Sequence, residues 1–380
     1  MIGPFATDTY LPSFPAISQT FAVSPVLVQQ TLSVYIAAFA VMTLFYGTLS
    51  DSFGRRPVIL VALGVFAVAS IGAAFTESFA MLLFFRGLQG ASAGAGRVIG
   101  QAIVRDRFDG AAAQRMISHI AMVFGIAPVI APIAGGILHV YFGWRSNFVL
   151  MMGIALMLLA ASWRALPETL PRELRHPFQL GAILRNYGKA LRHPRFVCCA
   201  LAIGFGFGSF AIYIASAPKF IMDILHLSET EFAWLFIPMI SGTVIGSAIV
   251  SSLSHKVRPP KLIRVGFCIM VVGAVLNLVY TGFNSPAIAV PWAVLPIMVC
   301  SFGLALAIPG MTVATLDIFP EMRGLSSSLQ SFAQMLIFAI ISGFIAPLIY
   351  ASAFWLAGGV TVSVVLSITL WTLGSMQSKQ

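Results

Sequence analysis

The chain has very few charged side chains for its length. Lysine, arginine, aspartate and glutamate together make up 9% of its 380 residues, whereas soluble globular domains carry roughly 25%. Hydrophobic residues reach 59%. This balance excludes an ordinary soluble domain and predicts an integral membrane protein. The apolar runs are continuous rather than alternating, which argues against a transmembrane β-barrel.

Recognisable catalytic and metal-binding patterns are also missing. The four cysteines lie in apolar stretches without the spacing of zinc ligands, and the six histidines form no cluster. No G-x-x-x-x-G-K-(S/T) segment is present to bind ATP phosphates, so an ATP-driven pump would need a separate ATPase subunit. We therefore predict no catalytic residues, no metal site and no cofactor, and we do not expect an enzyme.

Twelve apolar segments are bounded by charged or turn-forming residues. A helix of about 20 residues suffices to cross a bilayer, and each segment approaches or exceeds that length. The predicted fold is therefore an all-α membrane protein with twelve transmembrane helices in two six-helix bundles. The spans are predicted near 1–21, 27–47, 58–76, 79–102, 115–138, 147–165, 196–217, 231–252, 262–283, 290–312, 326–350 and 353–375.

A polar stretch separates the first six spans from the last six. It predicts an N-terminal bundle at 1–165, a cytoplasmic linker at 166–195 and a C-terminal bundle at 196–380. With both termini in the cytoplasm, 18 of the 22 basic residues fall on the cytoplasmic side, as the positive-inside rule requires. The net charge of +10 is then explained by loops facing anionic lipid, and nucleic-acid binding is not expected.

A charged, turn-forming loop lies between the second and third predicted spans. Its sequence at 47–57 follows the pattern G-x-L-S-D-x-x-G-R-R-P. The pattern closely resembles the loop between the second and third helices of major facilitator superfamily transporters. The resemblance implies a charge-pair latch that holds one face closed and breaks as the transporter changes state. We call this segment the gating loop and predict that its functional residues are Gly47, Asp51, Gly54, Arg55 and Arg56.

Three charged residues lie inside predicted spans and away from the span ends: Asp8, Arg86 and Arg97. A charge near the bilayer centre costs about 2.5 to 3.5 kcal/mol on insertion scales, so it normally faces a cavity or a partner. Eleven residues separate the two arginines, which is almost three turns of a continuous helix. We therefore predict one polar stripe along a cavity wall, with Asp8 as a proton- or cation-binding group. The alternatives are that Asp8 caps a helix and that Arg86 snorkels to the interface.

Two further patterns indicate which group within this superfamily the chain resembles. Arg86 begins an R-x-x-Q-G sequence, similar to a superfamily pattern whose buried arginine has been linked to proton coupling. The fifth span resembles the antiporter motif of twelve-helix drug:proton antiporters, although Ala131 replaces the usual glycine before the second proline. The motif residues are Gly125, Pro128, Pro132, Gly135 and Gly136.

Two further segments, one in the first span and one after the tenth, add to the resemblance. The Asp8-Thr-Tyr-Leu-Pro segment in the first span and the loop with Asp317 and Arg323 after the tenth are similar to the bicyclomycin-resistance (Bcr/CflA) family. Asp106 and Arg115 after the fourth span resemble Asp317 and Arg323, which indicates two related halves. Fewer residues precede Asp8 in this chain than precede the equivalent acidic residue in that family. We therefore expect a truncated first helix, with a misassigned start codon as the preferred reason.

The resemblance implies a secondary active multidrug efflux transporter in a bacterial inner membrane. It would export small amphipathic compounds, such as bicyclomycin- or chloramphenicol-like antibiotics, in exchange for protons. Its expected partners are the substrate, protons and lipid, and we expect a monomer. One alternative is a transporter of the same fold that exports or imports a natural metabolite. Another is a membrane receptor or scaffold that transports nothing.

Overall fold

A computed structural model describes residues 2–108, 110–175, 177–253, 256–284 and 287–376. All regular secondary structure within these residues is helical, which confirms the predicted all-α class. The helices are α1 (Ile2–Asp8), α2 (Phe14–Phe21), α3 (Pro25–Phe53), α4 (Arg55–Phe75), α5 (Phe79–Ala93), α6 (Ala95–Arg107), α7 (Gly110–Phe142), α8 (Arg145–Ala165), α9 (Leu180–Leu191), α10 (Pro194–Ala215), α11 (Ala233–Leu253), α12 (Pro259–Asn284), α13 (Leu295–Leu316), α14 (Arg323–Ile340), α15 (Ala346–Ile349) and α16 (Ala353–Met376).

The chain forms two compact units, Met1–Leu184 and Arg185–Gln380. The division falls within the stretch predicted as a linker, where the structure places the short helix α9. The exact limits of the two six-helix domains stay a prediction.

Ten helices in the described part of the chain are long and apolar enough to cross a membrane. The other two predicted spans, 1–21 and 79–102, fold as interrupted helices. The fourth span stops at Ala93 and resumes at Ala95. One continuous hydrogen-bonded helix was expected there, and this expectation is wrong at a single residue: Gly94 keeps helical angles (φ −68°, ψ −24°), but its N–H bonds to the Ser92 carbonyl instead of continuing the helical pattern.

Proline explains the interruption of the first span. In a continuous helix the N–H of residue 12 would pair with the carbonyl of Asp8, but Pro12 has no N–H to donate. Helix α1 accordingly ends at Asp8, and a short 3₁₀ turn at Leu11–Ser13 leads into α2. The break leaves a buried acidic side chain, Asp8, at a helix end.

Small residues line the inner face of α4, and larger apolar residues line its outer face. Ala62, Ala69 and Ala73 recur at helical spacing and are buried, whereas Val61 and Val68 are 65% and 63% exposed. This is the reverse of a soluble helix, whose exposed face is polar. Close packing through small residues, with branched residues facing lipid, is typical of membrane bundles.

The second unit is organised around α13, which packs against α11 and α12. Gly266 of α12 and Gly303 of α13 face each other so closely that a Cβ on either would lie 2.6 Å from the other's carbonyl oxygen. The two backbones can approach this closely only because neither residue has a side chain.

Candidate functional site

Arg86 is completely buried within the first unit. Its Nη1 donates to Gln89 Oε1 at 2.7 Å, its Nη2 to the Ala6 carbonyl at 3.0 Å, and its Nε to the Thr31 carbonyl at 3.4 Å. The guanidinium therefore joins three helices, α1, α3 and α5. Because it lies wholly inside the bundle, the alternative that Arg86 snorkels to the interface is wrong.

Aromatic rings complete the surroundings of Arg86. The guanidinium carbon lies 4.3 Å from the Tyr10 ring centre and 4.5 Å from that of Tyr35. A cation over an aromatic face gains about 2 kcal/mol or more when both are desolvated. These contacts and the hydrogen bonds hold the charge without any carboxylate among the described residues within ion-pairing distance.

A second layer of hydrogen bonds positions the groups that contact Arg86. Gln89 Nε2 donates to Ser70 Oγ at 2.8 Å, which fixes the amide so that its oxygen faces the guanidinium. The Tyr10 hydroxyl pairs with Thr31 Oγ1 at 3.0 Å. Side chains from α3, α4 and α5 therefore act as one connected polar network in an otherwise apolar unit.

Asp8 lies at the end of α1, two residues beyond the Ala6 carbonyl that binds Arg86. It is 3% exposed, yet its carboxylate makes no ion pair with Arg86 in the described structure. Asp8 therefore belongs to α1 and Arg86 binds to it, but neither charge neutralises the other. An ionised carboxyl buried in this way normally requires a partner or water.

The antiporter-motif helix contacts the chain immediately after Asp8. A Cβ on Gly135 would overlap the backbone carbonyl of Thr9, so α7 can lie against this break only with glycine at that position. In contrast, a Cβ on Gly125 would have no atom within 4 Å. Pro128 and Pro132 lie inside α7, where each removes a helical hydrogen bond and favours bending. Gly136 is also buried.

Arg97 lies apart from the Arg86 network. It belongs to α6, beyond the interruption at Gly94, and its side chain is exposed, whereas that of Arg86 is not. Eleven residues also correspond to about 16 Å along a helix. The structure therefore does not bring the two arginines together, and the single polar stripe stays a prediction.

Arg55 is the centre of the gating loop. Its Nη1 donates to Ser50 Oγ at 2.6 Å and Asp51 Oδ1 at 2.5 Å, and its Nε donates to Asp106 Oδ2 at 3.2 Å. The arginine is 8% exposed, so these charge-assisted bonds are only partly screened by water. Arg56 points elsewhere, donating to the Trp163 carbonyl at 2.7 Å. Gly47 has open space around it.

Glu168 caps the first turn of α4. Its Oε1 accepts the backbone N–H of Arg55 at 3.0 Å, and its Oε2 lies 3.4 Å from Arg175 Nη2. Gly54 has a φ of +103°, a conformation that favours glycine, and a Cβ there would overlap the Glu168 carboxylate. The stretch predicted as a linker therefore supplies a helix cap to the gating loop.

Glu168→Ala is expected to destabilise the purified protein by about 1 to 2 kcal/mol, because the buried helix end loses its cap. The matched control is Asp317→Ala, which breaks the 2.8 Å Asp317–Arg323 pair. Because that pair is more than half exposed, its loss should cost less than about 1 kcal/mol. Thermal unfolding in detergent tests this difference, and equal losses would contradict the capping role of Glu168.

Several contacts in these sites were not predicted from the sequence. Glu168 and Asp106 meet the gating loop across 113 and 51 positions, and no local pattern indicates such contacts. Gln89, in contrast, is the glutamine of the R-x-x-Q-G pattern, and its spacing of three residues from Arg86 places both on one helix face.

Comparison with known proteins gives a consistent pattern. The family model described as Major Facilitator Superfamily matches residues 1–342. The uncharacterized MFS-type transporter YdgK of Bacillus subtilis is 32% identical over 75% of this chain and 72% of its own length. The bicyclomycin resistance protein homolog of Haemophilus influenzae is 30% identical over 92% and 87%. The multidrug transporter MdfA of Yersinia pestis is 29% identical over 88% and 81%.

Solved structures share the fold at lower sequence identity. A D-xylose-proton symporter matches with a TM-score of 0.72 and 16% identity, covering 97% of this chain and 95% of the symporter. The human organic anion transporter MFSD10 matches with a TM-score of 0.69 and 18% identity, covering 98% and 96%. At these identities the likeness shows the fold alone.

Proposed function

The chain belongs to the Major Facilitator Superfamily, and on that premise we propose that it exports small amphipathic compounds in exchange for protons. It is a secondary transporter and a multi-pass membrane protein, not an enzyme. The names of its relatives from Haemophilus influenzae and Yersinia pestis favour drugs as cargo. The proposed substrates are antibiotics of the bicyclomycin or chloramphenicol kind.

The observation that carries this proposal is the arrangement of Asp8 and Arg86. Both are buried, both belong to or bind α1, and no ion pair joins them. A carboxyl group in that position can bind and release a proton when the transport pathway admits water. We propose that the proton and the substrate bind Asp8 in different states, with Arg86 adjusting the charge balance.

Coupling requires that the proton and the substrate favour different conformations, since a ligand shifts an equilibrium only through its differential affinity. The break after Asp8 provides a place for α1 to move against α7, where Gly135 contacts Thr9. The Arg55 cluster is proposed as the latch for one of the two states. Its bonds to Asp51 and Asp106 would break when that face opens.

The orientation proposed is that of a bacterial inner-membrane protein with both termini in the cytoplasm, acting as a monomer. In that orientation the gating loop, the loop with Asp317 and Arg323, and the linker all lie on the cytoplasmic side. Arg97, whose side chain is exposed in the first unit, remains a proposed member of the transport cavity.

Everted membrane vesicles test the proposal. Respiration acidifies their interior, and a panel of antibiotics and metabolites is then added outside. An exported substrate should release protons and reduce the pH gradient, whereas control vesicles without the protein should show no change. If no compound releases protons although the protein is well inserted, antiport is contradicted. A compound whose entry is accompanied by further acidification would indicate the symport alternative.

A further inference from the structure

Helix α9 has three distinct faces. Ile183, Tyr187 and Ala190 are buried, and the Tyr187 hydroxyl hydrogen-bonds to Ser328 of α14. This row attaches the helix to the protein. Outside this row, Ala182, Asn186 and Gly188 are partly buried and the remaining six residues of the helix are exposed.

An exposed leucine row lies beside the buried row. Leu180, Leu184 and Leu191 are 46%, 54% and 56% exposed. At about 100° per residue, the three fall within an arc of about 40°. Exposed leucines in one row on a helix outside the transmembrane segments indicate contact with a further apolar surface.

Basic residues occupy the next part of the circumference. Arg185 and Lys189 are exposed, and they lie about 120° to 160° around the helix from the leucine row. Arg192 follows directly after the helix. Leucines on one side with lysine and arginine on the other are typical of helices that lie in the plane of a membrane interface.

The bilayer is within reach of this helix. Only two residues separate Leu191 from Pro194, where the membrane-spanning helix α10 begins. Three residue steps extend no further than about 11 Å, so the C-terminal end of α9 is held close to the membrane surface. Cations beside such a surface are attracted to anionic lipid.

We infer that α9 is an interfacial helix that inserts its leucine row into an anionic lipid surface and places its cations among the headgroups. Leucine burial supplies the apolar attraction, and Arg185, Lys189 and Arg192 supply selectivity for acidic lipid. This inference concerns the linker alone and is independent of which compound is transported or how protons are coupled.

Site-specific fluorescence in liposomes tests this interaction. The full chain, with its four cysteines replaced, receives one new cysteine labelled with an environment-sensitive dye. The labelled variants are Leu184→Cys on the leucine row and Gly181→Cys on an exposed neighbouring face, which serves as the matched control. Leu180→Cys provides a second position on the row if Leu184→Cys fails to fold.

In liposomes with about 30% phosphatidylglycerol, aqueous iodide should quench the dye at 184 about fivefold less than at 181, while nitroxide-labelled lipid should quench the dye at 184 more. Replacing Arg185, Lys189 and Arg192 by glutamine should reduce this difference to its value in neutral lipid. Equal iodide quenching at both positions would overturn the inference. Protection at 184 without quenching by labelled lipid would also overturn it, because it would indicate a protein partner or a second copy.

Discussion

Arg86→Gln is expected to reduce proton-coupled transport by about 100-fold or more, which corresponds to about 2.7 kcal/mol in the rate-limiting barrier. The substitution removes a buried charge and leaves the Ala6 carbonyl and the Gln89 amide oxygen without the guanidinium N–H groups that bind them. Each buried group left unpaired costs about 1 to 3 kcal/mol. A lower unfolding temperature should therefore accompany the loss of transport.

Arg86→Lys should recover only part of the activity. Lysine keeps the charge but lacks the planar guanidinium that reaches Gln89, Ala6 and Thr31 at once. Arg145→Gln is the matched control, because Arg145 also lies over an aromatic ring, that of Trp144 at 4.4 Å, and donates to one carbonyl, that of Thr76. Transport by this control should stay within about twofold of the unmodified protein, as expected for a partly exposed site.

These variants are compared by the initial rate of substrate-induced proton release per inserted molecule. Normalising to the inserted protein separates a transport defect from poor folding. If Arg86→Gln and Arg145→Gln behave alike, the buried network around Arg86 has no special part in transport.

Gly135→Ala is expected to impair transport by about tenfold and to destabilise the first unit by about 1 to 3 kcal/mol, as overpacking does. The added methyl group would overlap the Thr9 carbonyl, forcing α7 away from the break beside Asp8. Gly125→Ala is the matched control on the same helix, since the added methyl group meets no atom within 4 Å.

Gly125→Ala should stay close to the unmodified protein in both transport and unfolding temperature. The comparison is made on purified protein for stability and on everted vesicles for transport. Equal effects of the two substitutions would show that the motif glycines act through helix flexibility rather than through the contact with Thr9.

The membrane class and the positions of most helices could be predicted because they depend on short-range properties. The length of each apolar run decides whether a helix can cross a bilayer, and Pro12 alone accounts for the end of α1 at Asp8. The interruption at Gly94 was not predicted. Glycine is tolerated within membrane helices, so its presence in an apolar run does not by itself indicate a break.

The candidate site was less predictable because its contacts join distant parts of the chain. Arg86 stood out as a charge in an apolar run, but its neutral partners on α1 and α3 depend on how three helices pack. Glu168 likewise appeared only as one charge in a polar stretch. Its role as a helix cap depends on the loop bringing it to Arg55, which no spacing rule describes.

The proton-coupling role of Asp8 is tested most directly in proteoliposomes with the Asp8→Asn variant. The substitution keeps the size of the side chain but removes its titratable group. We predict that Asp8→Asn still exchanges substrate down a concentration gradient yet no longer accumulates it when a pH gradient is imposed, and that Asp8→Glu retains measurable coupling. Accumulation by Asp8→Asn at the rate of the unmodified protein would contradict proton coupling through Asp8.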